Sequence, residues 1–352
     1  MASSTDKQIN DPLLRKRLHV PDVAEDENEH KWWNSNADLI DRIWANDGDV
    51  RDAVRTGYLE TASRFLVENN GSDTFLFEIG SGSGWVGQAL VRDTRTNLLG
   101  IDLSEAQVEI AQQNAKAQGL DAQCTYVCAN LSEVATYIPN AKAITGVVIH
   151  AILHHLTWSE IDNVLAETAR QAPAAKLFVY EPVFFPEGAP AGFRRGSGLS
   201  RQLAVFSSLA VLFSMRVFGR LTAVRRDSAV LRQIDIVSRQ AQENQWVLSP
   251  KEVVFGQPEL ISALGKSFRV QGSHLCNYLD LNAAQSAALL KGPGLVSSVY
   301  TRVFLPALQR LDRWLVSSGA IFDLCNGKPR NRIVEQHFPR YCFWGVECQS
   351  KR

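Results

Sequence analysis

The sequence predicts an α/β fold, a parallel sheet with helices on both of its faces. Three observations carry that prediction. Short apolar runs alternate with amphipathic stretches from Thr74 to Pro182. The runs are continuously apolar instead of alternating with polar residues, as strands buried on both faces require. The first run ends in Gly80, Gly82 and Gly84, a cluster that suits a strand turning into a helix.

Taken in order, Thr74 to Glu78 reads as the first strand and Trp85 to Val91 as its helix. Asn97 to Asp102 is the second strand. Ser104 to Gln118 is a helix, with Ser104 as N-cap and Gln107 three residues on, a capping-box spacing. Cys124 to Ala129, Ile144 to Ile149 and Lys176 to Tyr180 complete the strands, with a helix from about Ser159 to Gln171 before the last. Ahead of the sheet, residues 1–30 read as a mobile arm. Leu39, Ile40, Ile43 and Trp44 then recur at helical spacing, and Val50, Val54, Tyr58, Ala62, Phe65 and Leu66 form a second stripe. These helices are expected to cap the sheet, with Trp32 and Trp33 just before the first, beside the ligand mouth.

After Pro182 the rhythm breaks. A Pro/Gly-rich loop from Phe185 to Gly198 leads into a helical region from about Leu199 to Gln245. Ser249-Pro250-Lys251-Glu252 reads as a helix start, Phe268 to Leu279 as a strand, Ala283 to Ser318 as helix and Tyr341 to Cys348 as the last strand. The organisation expected is an N-terminal arm and cap helices over 1–70, a ligand-binding core over 71–183, and an Arg-rich helical lid over 184–250. The rest of the core spans 251–352, with a helical insertion at 283–335.

Composition narrows the function. With 352 residues, 45% hydrophobic, 21% charged and a net charge of zero, the chain reads as an ordinary globular protein. Neutrality gives no reason to expect nucleic acid as partner. The six cysteines form no CxxC pair and no Cys/His cluster at zinc spacing, so no metal is expected. Cys124 and Cys128 share one face of a strand and read as small thiols in a reducing compartment. Met1 to Asp22 has no apolar run of a signal peptide. Leu203 to Met215 is uncharged over thirteen residues, short of the roughly 20 that span a bilayer. A cytoplasmic location follows as the expectation.

The chemistry sits in Glu78-Ile79-Gly80-Ser81-Gly82-Ser83-Gly84. Ligands of parallel sheets bind beyond the carboxyl ends of the strands, and glycines at the first turn let backbone approach them. Asp102 ends the next strand, 20 residues after Gly82, where an acid accepts hydrogen bonds from ribose hydroxyls. A dinucleotide fingerprint needs glycine three residues after Gly82. Trp85 stands there, which weighs against NAD or FAD. The acid at Glu78 also suits a ligand with a positively charged amino-acid end.

Glu78-x-Gly80-x-Gly82-x-Gly84, followed by Gly100-Ile101-Asp102-Leu103-Ser104, resembles the first two motifs of class I S-adenosylmethionine-dependent methyltransferases of the small-molecule type. The resemblance covers about 74–182, with looser support at 249–279 and 338–349. It implies a Rossmann-like sheet with a reversed final strand and S-adenosyl-L-methionine as cofactor. On that resemblance Glu78, Gly80, Ser81 and Gly82 would serve the methionine part, Asp102 the ribose, and Leu103 the adenine. The family usually has an acid after the third strand; here Asn130, before Leu131, offers a side-chain oxygen instead. The exit of the fourth strand, through His150, His154 and His155, also resembles the family, although Thr145-Gly146 replaces its usual acid.

Three residues are candidates for catalysis. His150 ends a strand at the ligand edge and could act as base, or could pack on the cofactor. His154 could fix the following loop, and Glu181 could bind or deprotonate an acceptor. The segment from Arg194 to Arg239 holds nine arginines, no lysine, and only Asp227 and Asp235. Leu203, Phe206, Ala210, Phe213 and Val217 form one stripe in it, expected as the apolar underside of a lid over a hydrophobic acceptor. The arginines could instead grip a phosphate or carboxylate of the substrate, or an anionic membrane. The function expected is methyl transfer to O or C, less readily N, of a hydrophobic small molecule. The alternatives are a lipid or quinone methyltransferase at a membrane surface and a non-catalytic cofactor-binding module. Nothing in the sequence opposes a homodimer.

Overall fold

The computed structural model describes residues 23–44, 58–66, 74–131, 144–190, 193, 196–222, 254–279, 298–326, 338 and 341–351. Helices α1 (Val23–Trp44) and α2 (Glu60–Leu66) precede the sheet. Then come β1 (Phe75–Ile79), α3 (Trp85–Thr94), β2 (Asn97–Asp102), α4 (Glu105–Ala117) and β3 (Cys124–Cys128). They are followed by β4 (Ile144–His150), a short 3-10 turn (Leu153–His155), α5 (Trp158–Gln171) and β5 (Lys176–Phe184). The remainder is α6 (Gly198–Thr222), β6 (Phe255–Gly256), α7 (Gln257–Ser267), β7 (Phe268–Asn277), a π-turn (Tyr300–Phe304), α8 (Leu305–Ser318), α9 (Ala320–Leu324) and β8 (Cys342–Ser350).

The sheet runs β3-β2-β1-β4-β5-β8-β7, and the short β6 pairs with the end of β5. Strands β1 to β5 are mutually parallel, while β8 runs antiparallel to both β5 and β7. This is the α/β fold with a reversed final strand that the sequence predicted. Side chains of alternate residues fill two apolar layers. Phe77, Ile79, Val147, Ile149, Leu177 and Val179 meet α5 and α7 on one face. Leu76, Leu98, Val148, Phe178 and Tyr180 meet α2, α3 and α4 on the other. Burial on both faces explains the unbroken apolar runs.

Local chemistry sets the helix ends. Thr157 and Glu160 form a reciprocal capping box at α5. Pro306 stands where the π-turn passes into α8, and Gly319 closes that helix in the left-handed conformation. The fifth strand is longer than predicted, because β8 keeps pairing as far as Val183 and β6 joins at Val183–Phe184.

Two expectations are corrected. The mobile arm of residues 1–30 gives way to helix from Val23, so Trp32 and Trp33 lie inside α1 and not ahead of it. Asn34 explains the docking of that helix. Its Oδ1 accepts Ser104 Oγ–H at 2.6 Å and Ala106 N–H at 3.2 Å, and its Nδ2 donates to Glu105 Oε2 at 2.9 Å. A residue 70 positions upstream thereby caps α4. The second correction concerns the stripe of α6. Leu203, Phe206, Phe213 and Val217 are exposed, and Ala204 and Ser208 are the fully buried positions. Small residues let α6 approach α8 closely, and larger side chains at those places would hold the helices apart. The stripe is therefore an outer face. The expected helical stretches at Val50 and Val54, 223–245, 249–252 and 283–297 lie outside the described residues.

Replacing Asn34 with Ala removes an acceptor from the first turn of α4 and leaves Ser104 Oγ without it. A loss of about 1–2 kcal/mol is expected, read as a lower urea midpoint at unchanged slope.

Candidate active site

Register brings the site together. Ile79 pairs with Ile101 and Ile149, and His150 pairs with Tyr180. Gly80, Asp102, His150 and Glu181 thus emerge at one edge of the sheet, the carboxyl ends of adjacent strands.

The glycine turn is tied to β2. Gly80 and Ser81 both donate to the Ile101 carbonyl at 2.9 Å. Asp102 Oδ2 accepts Gly82 N–H at 2.8 Å, and its Oδ1 accepts Ser104 N–H at 2.9 Å. Burial raises the Asp102 carboxyl above its usual range, and the amides pull it back. The glycines have different reasons. Gly80 has φ 72°, and a Cβ there would stand 2.6 Å from Ile152, so the loop after β4 packs directly on the turn. Gly82 has φ 50°, and its nearest neighbour would be Gln107 Oε1 at 3.8 Å, so a ligand can approach its backbone.

Gln107 was read from the sequence only as a capping residue. Its backbone N–H does donate to Ser104 Oγ at 3.2 Å. The return bond of the capping box is missing, because Ser104 N–H is held by Asp102. The Gln107 carboxamide turns to the glycine loop instead. Both of its polar atoms, and Ser81 Oγ, are buried without a hydrogen-bond partner among the described residues. Buried polar atoms beside open backbone fit a ligand that carries amino, carboxylate and hydroxyl groups.

The other predicted cofactor residues surround this turn. Leu103 and Leu131 are half-buried and Asn130 is exposed, at the exits of β2 and β3. Glu78 lies behind the turn, 1% exposed, with its carboxyl against α3 where a Cβ on Gly87 would come within 2.3 Å. Burial pushes that carboxyl up to about 8, opposed by the Gly87 amide.

The catalytic candidates are also together, in a buried network. Ala151 holds a left-handed φ of 54° directly after β4, a strained position for a side-chain residue. Glu181 braces it. Its Oε1 accepts Ile152 N–H at 2.8 Å and Leu153 N–H at 2.7 Å, and its Oε2 meets His154 Nδ1 at 2.7 Å. Burial raises Glu181 to about 7, and the amides of Leu153 and Ile152 oppose that. His155 Nδ1 lies 3.1 Å from Glu29, which also accepts from Trp33 Nε1 at 2.8 Å. Trp33 and His155 stand edge to face, 5.2 Å apart. The sequence named His155 and Trp33 but gave no sign of Glu29, since their contact joins distant segments.

His150 is enclosed by rings. It stacks on Tyr180 at 4.8 Å, lies 5.1 Å from Tyr58, and meets Trp85 edge on at 5.9 Å. Burial, with His154 nearby, lowers its pKa to about 3. The ring is therefore neutral near pH 7 and a weak proton acceptor. Among the described residues no group of three or more His, Cys, Asp or Glu could hold a metal ion.

Glu78 provides a pH test. Its folded carboxyl titrates at about 8, against an ordinary value of 4.5. Between those values the fold binds the extra proton, so its contribution to stability declines as pH rises through the window. Urea unfolding from about pH 5 to about pH 8 should show a fall of a few kcal/mol, made shallower but not abolished in Glu78→Gln, because Glu181 is also raised into this window. An equal fall in the variant would assign the effect to other groups.

Residues 76–172 match the family model described as a methyltransferase domain. No curated protein matches the chain at a significant level. Three solved structures illustrate the likeness. A geranyl diphosphate C-methyltransferase from Streptomyces coelicolor, crystallised with Mg2+, geranyl-S-thiolodiphosphate and S-adenosyl-L-homocysteine, is 11% identical with a TM-score of 0.48, over 95% of this chain and 100% of that one. A cyclopropane synthase from Mycobacterium tuberculosis is 12% identical with a TM-score of 0.47, over 83% and 82%. An S-adenosylmethionine-dependent methyltransferase from Geobacter sulfurreducens is 17% identical with a TM-score of 0.41, over 83% and 90%. Residues 76–172, with the glycine turn and Asp102 among them, are a methyltransferase domain, and the chain is an enzyme.

Proposed function

We propose that this enzyme methylates an O or C atom of a hydrophobic small molecule that already carries the electron density it donates, such as a carboxylate, a phenolate or an enolate. The observation behind this reading is that, among the described residues, neither His150 nor Glu181 is poised as a base. Burial, with His154 nearby, holds His150 at about 3. Both oxygens of Glu181 are engaged by Ile152, Leu153 and His154. An acceptor that must first lose a tightly held proton, as an alkyl alcohol does, is poorly served by such a site.

Bound S-adenosyl-L-methionine supplies an electrophilic methyl group on a sulfonium. Asp102 would take the ribose hydroxyls on lone pairs not used by Gly82 and Ser104. Leu103, Asn130 and Leu131 would flank the adenine. Gly80, Ser81 and Gly82, with Gln107, would hold the amino-acid end, while Glu78 supports the turn from behind. Glu181 and His154 act as positioning residues: they hold the loop that carries Ile152 onto Gly80. His150, Trp85, Tyr58 and Tyr180 supply an apolar wall, which keeps water away from the transfer. In-line geometry and desolvation then account for the rate.

Incubation with methyl-labelled S-adenosyl-L-methionine and a metabolite extract, followed by mass spectrometry, should reveal an apolar product heavier by one methylene. Tight calorimetric binding of NADH with none of S-adenosyl-L-methionine would sink the reading. Cofactor binding with no transfer to any extract would favour a binding module. Glu181→Gln keeps an acceptor for Ile152 and Leu153, so cofactor affinity should fall less than about tenfold. Glu181→Ala strands two buried amides and should cost about 2–5 kcal/mol of stability. A pH–rate profile that loses a limb near 7 only in Glu181→Gln would make Glu181 a base instead.

A further inference from the structure

Helix α6 has two apolar faces. The inner one, with Ala204 and Ser208 fully buried, packs on α8, and Val211, Leu212 and Met215 join the apolar layer of Tyr58, Tyr180 and Phe343. The outer one presents Leu199, Phe206 and Phe213 at 67%, 66% and 62% exposure, with Leu203 and Val217 in the same row. Their spacing of three, four or seven residues sets them in one line along the helix. Of the 18 residues from Gly198 to Met215, 11% are buried. A contiguous row of this kind marks an interaction surface in a protein that otherwise buries its large side chains.

Charge identifies the partner. From 188 to 226 the chain carries seven arginines and no acidic residue, although its net charge is zero. We propose that the outer face of α6 docks on an anionic phospholipid bilayer, with the helix lying in the plane of the interface. The aromatic and aliphatic row would enter the acyl boundary, and the net positive charge of the 188–226 segment would favour anionic headgroups over neutral ones. The inner face is held by α8, so the helix docks without leaving the protein and does not cross the membrane. A second copy fits less well, since two-fold pairing of this face would bring like charges together. The docking holds whichever acceptor is methylated.

The test is co-sedimentation of the full chain with vesicles of phosphatidylcholine, with and without phosphatidylserine, at low and high salt. The comparison is the double variant F206S/F213S, whose replaced side chains lie outside the core. Thermal unfolding and calorimetric S-adenosyl-L-methionine binding, both expected to match the parent chain, establish that it is folded. Phosphatidylserine vesicles should bind the parent chain about tenfold or more better than the variant, with the difference shrinking as salt rises. Three results would each overturn the proposal. The parent chain could stay in the supernatant with phosphatidylserine at low salt. The folded variant could sediment equally well. Or light scattering could show a dimer that the same variant dissociates, which would assign the stripe to a second copy.

Discussion

The site depends on one carboxylate, Asp102, that serves two amides. By accepting both Gly82 N–H and Ser104 N–H, it joins the turn after β1 to the start of α4. Ser104 then caps that helix through Gln107 N–H and passes its own proton to Asn34 of α1. A single chain of hydrogen bonds therefore runs from the glycine loop to the N-terminal helix. The register of β1 and β2 places Asp102 where it can do this, so the apolar pairing of the sheet precedes everything else. Glu181 repeats the device three strands away, where a fully buried carboxyl gathers Ile152, Leu153 and His154. Ile152, set by that second carboxyl, rests on Gly80, set by the first.

Burial gives the acids of this site different characters. Glu78 and Glu181 are pushed to about 8 and about 7, both chiefly by desolvation. Glu78 meets one amide against that cost, whereas Glu181 is opposed by several. Asp102, partly buried at the mouth, is also raised chiefly by burial, with amides from Ser104, Gly82 and Leu103 favouring the charged form. The residue best suited to a polar ligand is thus the acid that keeps some of its surface. The two buried acids hold backbone in place.

Much of this was legible in the sequence, and the reason is period and spacing. The apolar runs fixed β1 to β5 to within a residue or two at most ends, and Asp102 was found because the Gly82 spacing is local to one strand–turn–helix unit. His150 and Glu181 were read as strand ends, although β5 runs on past Glu181 to Phe184, and His154 was read as a loop residue after β4. What sequence could not show was the partner of each group. Asn34 is 70 residues from Ser104, and Glu29 is far from His155. Such contacts depend on how helices dock, which no local pattern encodes. The stripe of α6 failed differently. Its apolar period was read correctly, but period identifies a face and not what it faces. The small residues Ala204 and Ser208, unremarked in the pattern, decide which side packs.

Zero net charge conceals a division of labour along the chain. Residues 22–51 hold nine acids and three bases, and two of those acids turn inward. Glu29 meets His155 and Trp33, and Asp41 accepts from Asn114 at 3.0 Å. Their charge is neutralised or shielded by the contacts that fasten α1 to the core. The arginines of 188–226 have no acid in their own segment, and the described pair there, Arg201 with Asp323 at 3.1 Å, reaches to α9. Acidic charge thus closes the N-terminal helix over the cofactor edge, while basic charge flanks the helix whose outer face is apolar. A uniform surface of the same composition would do neither.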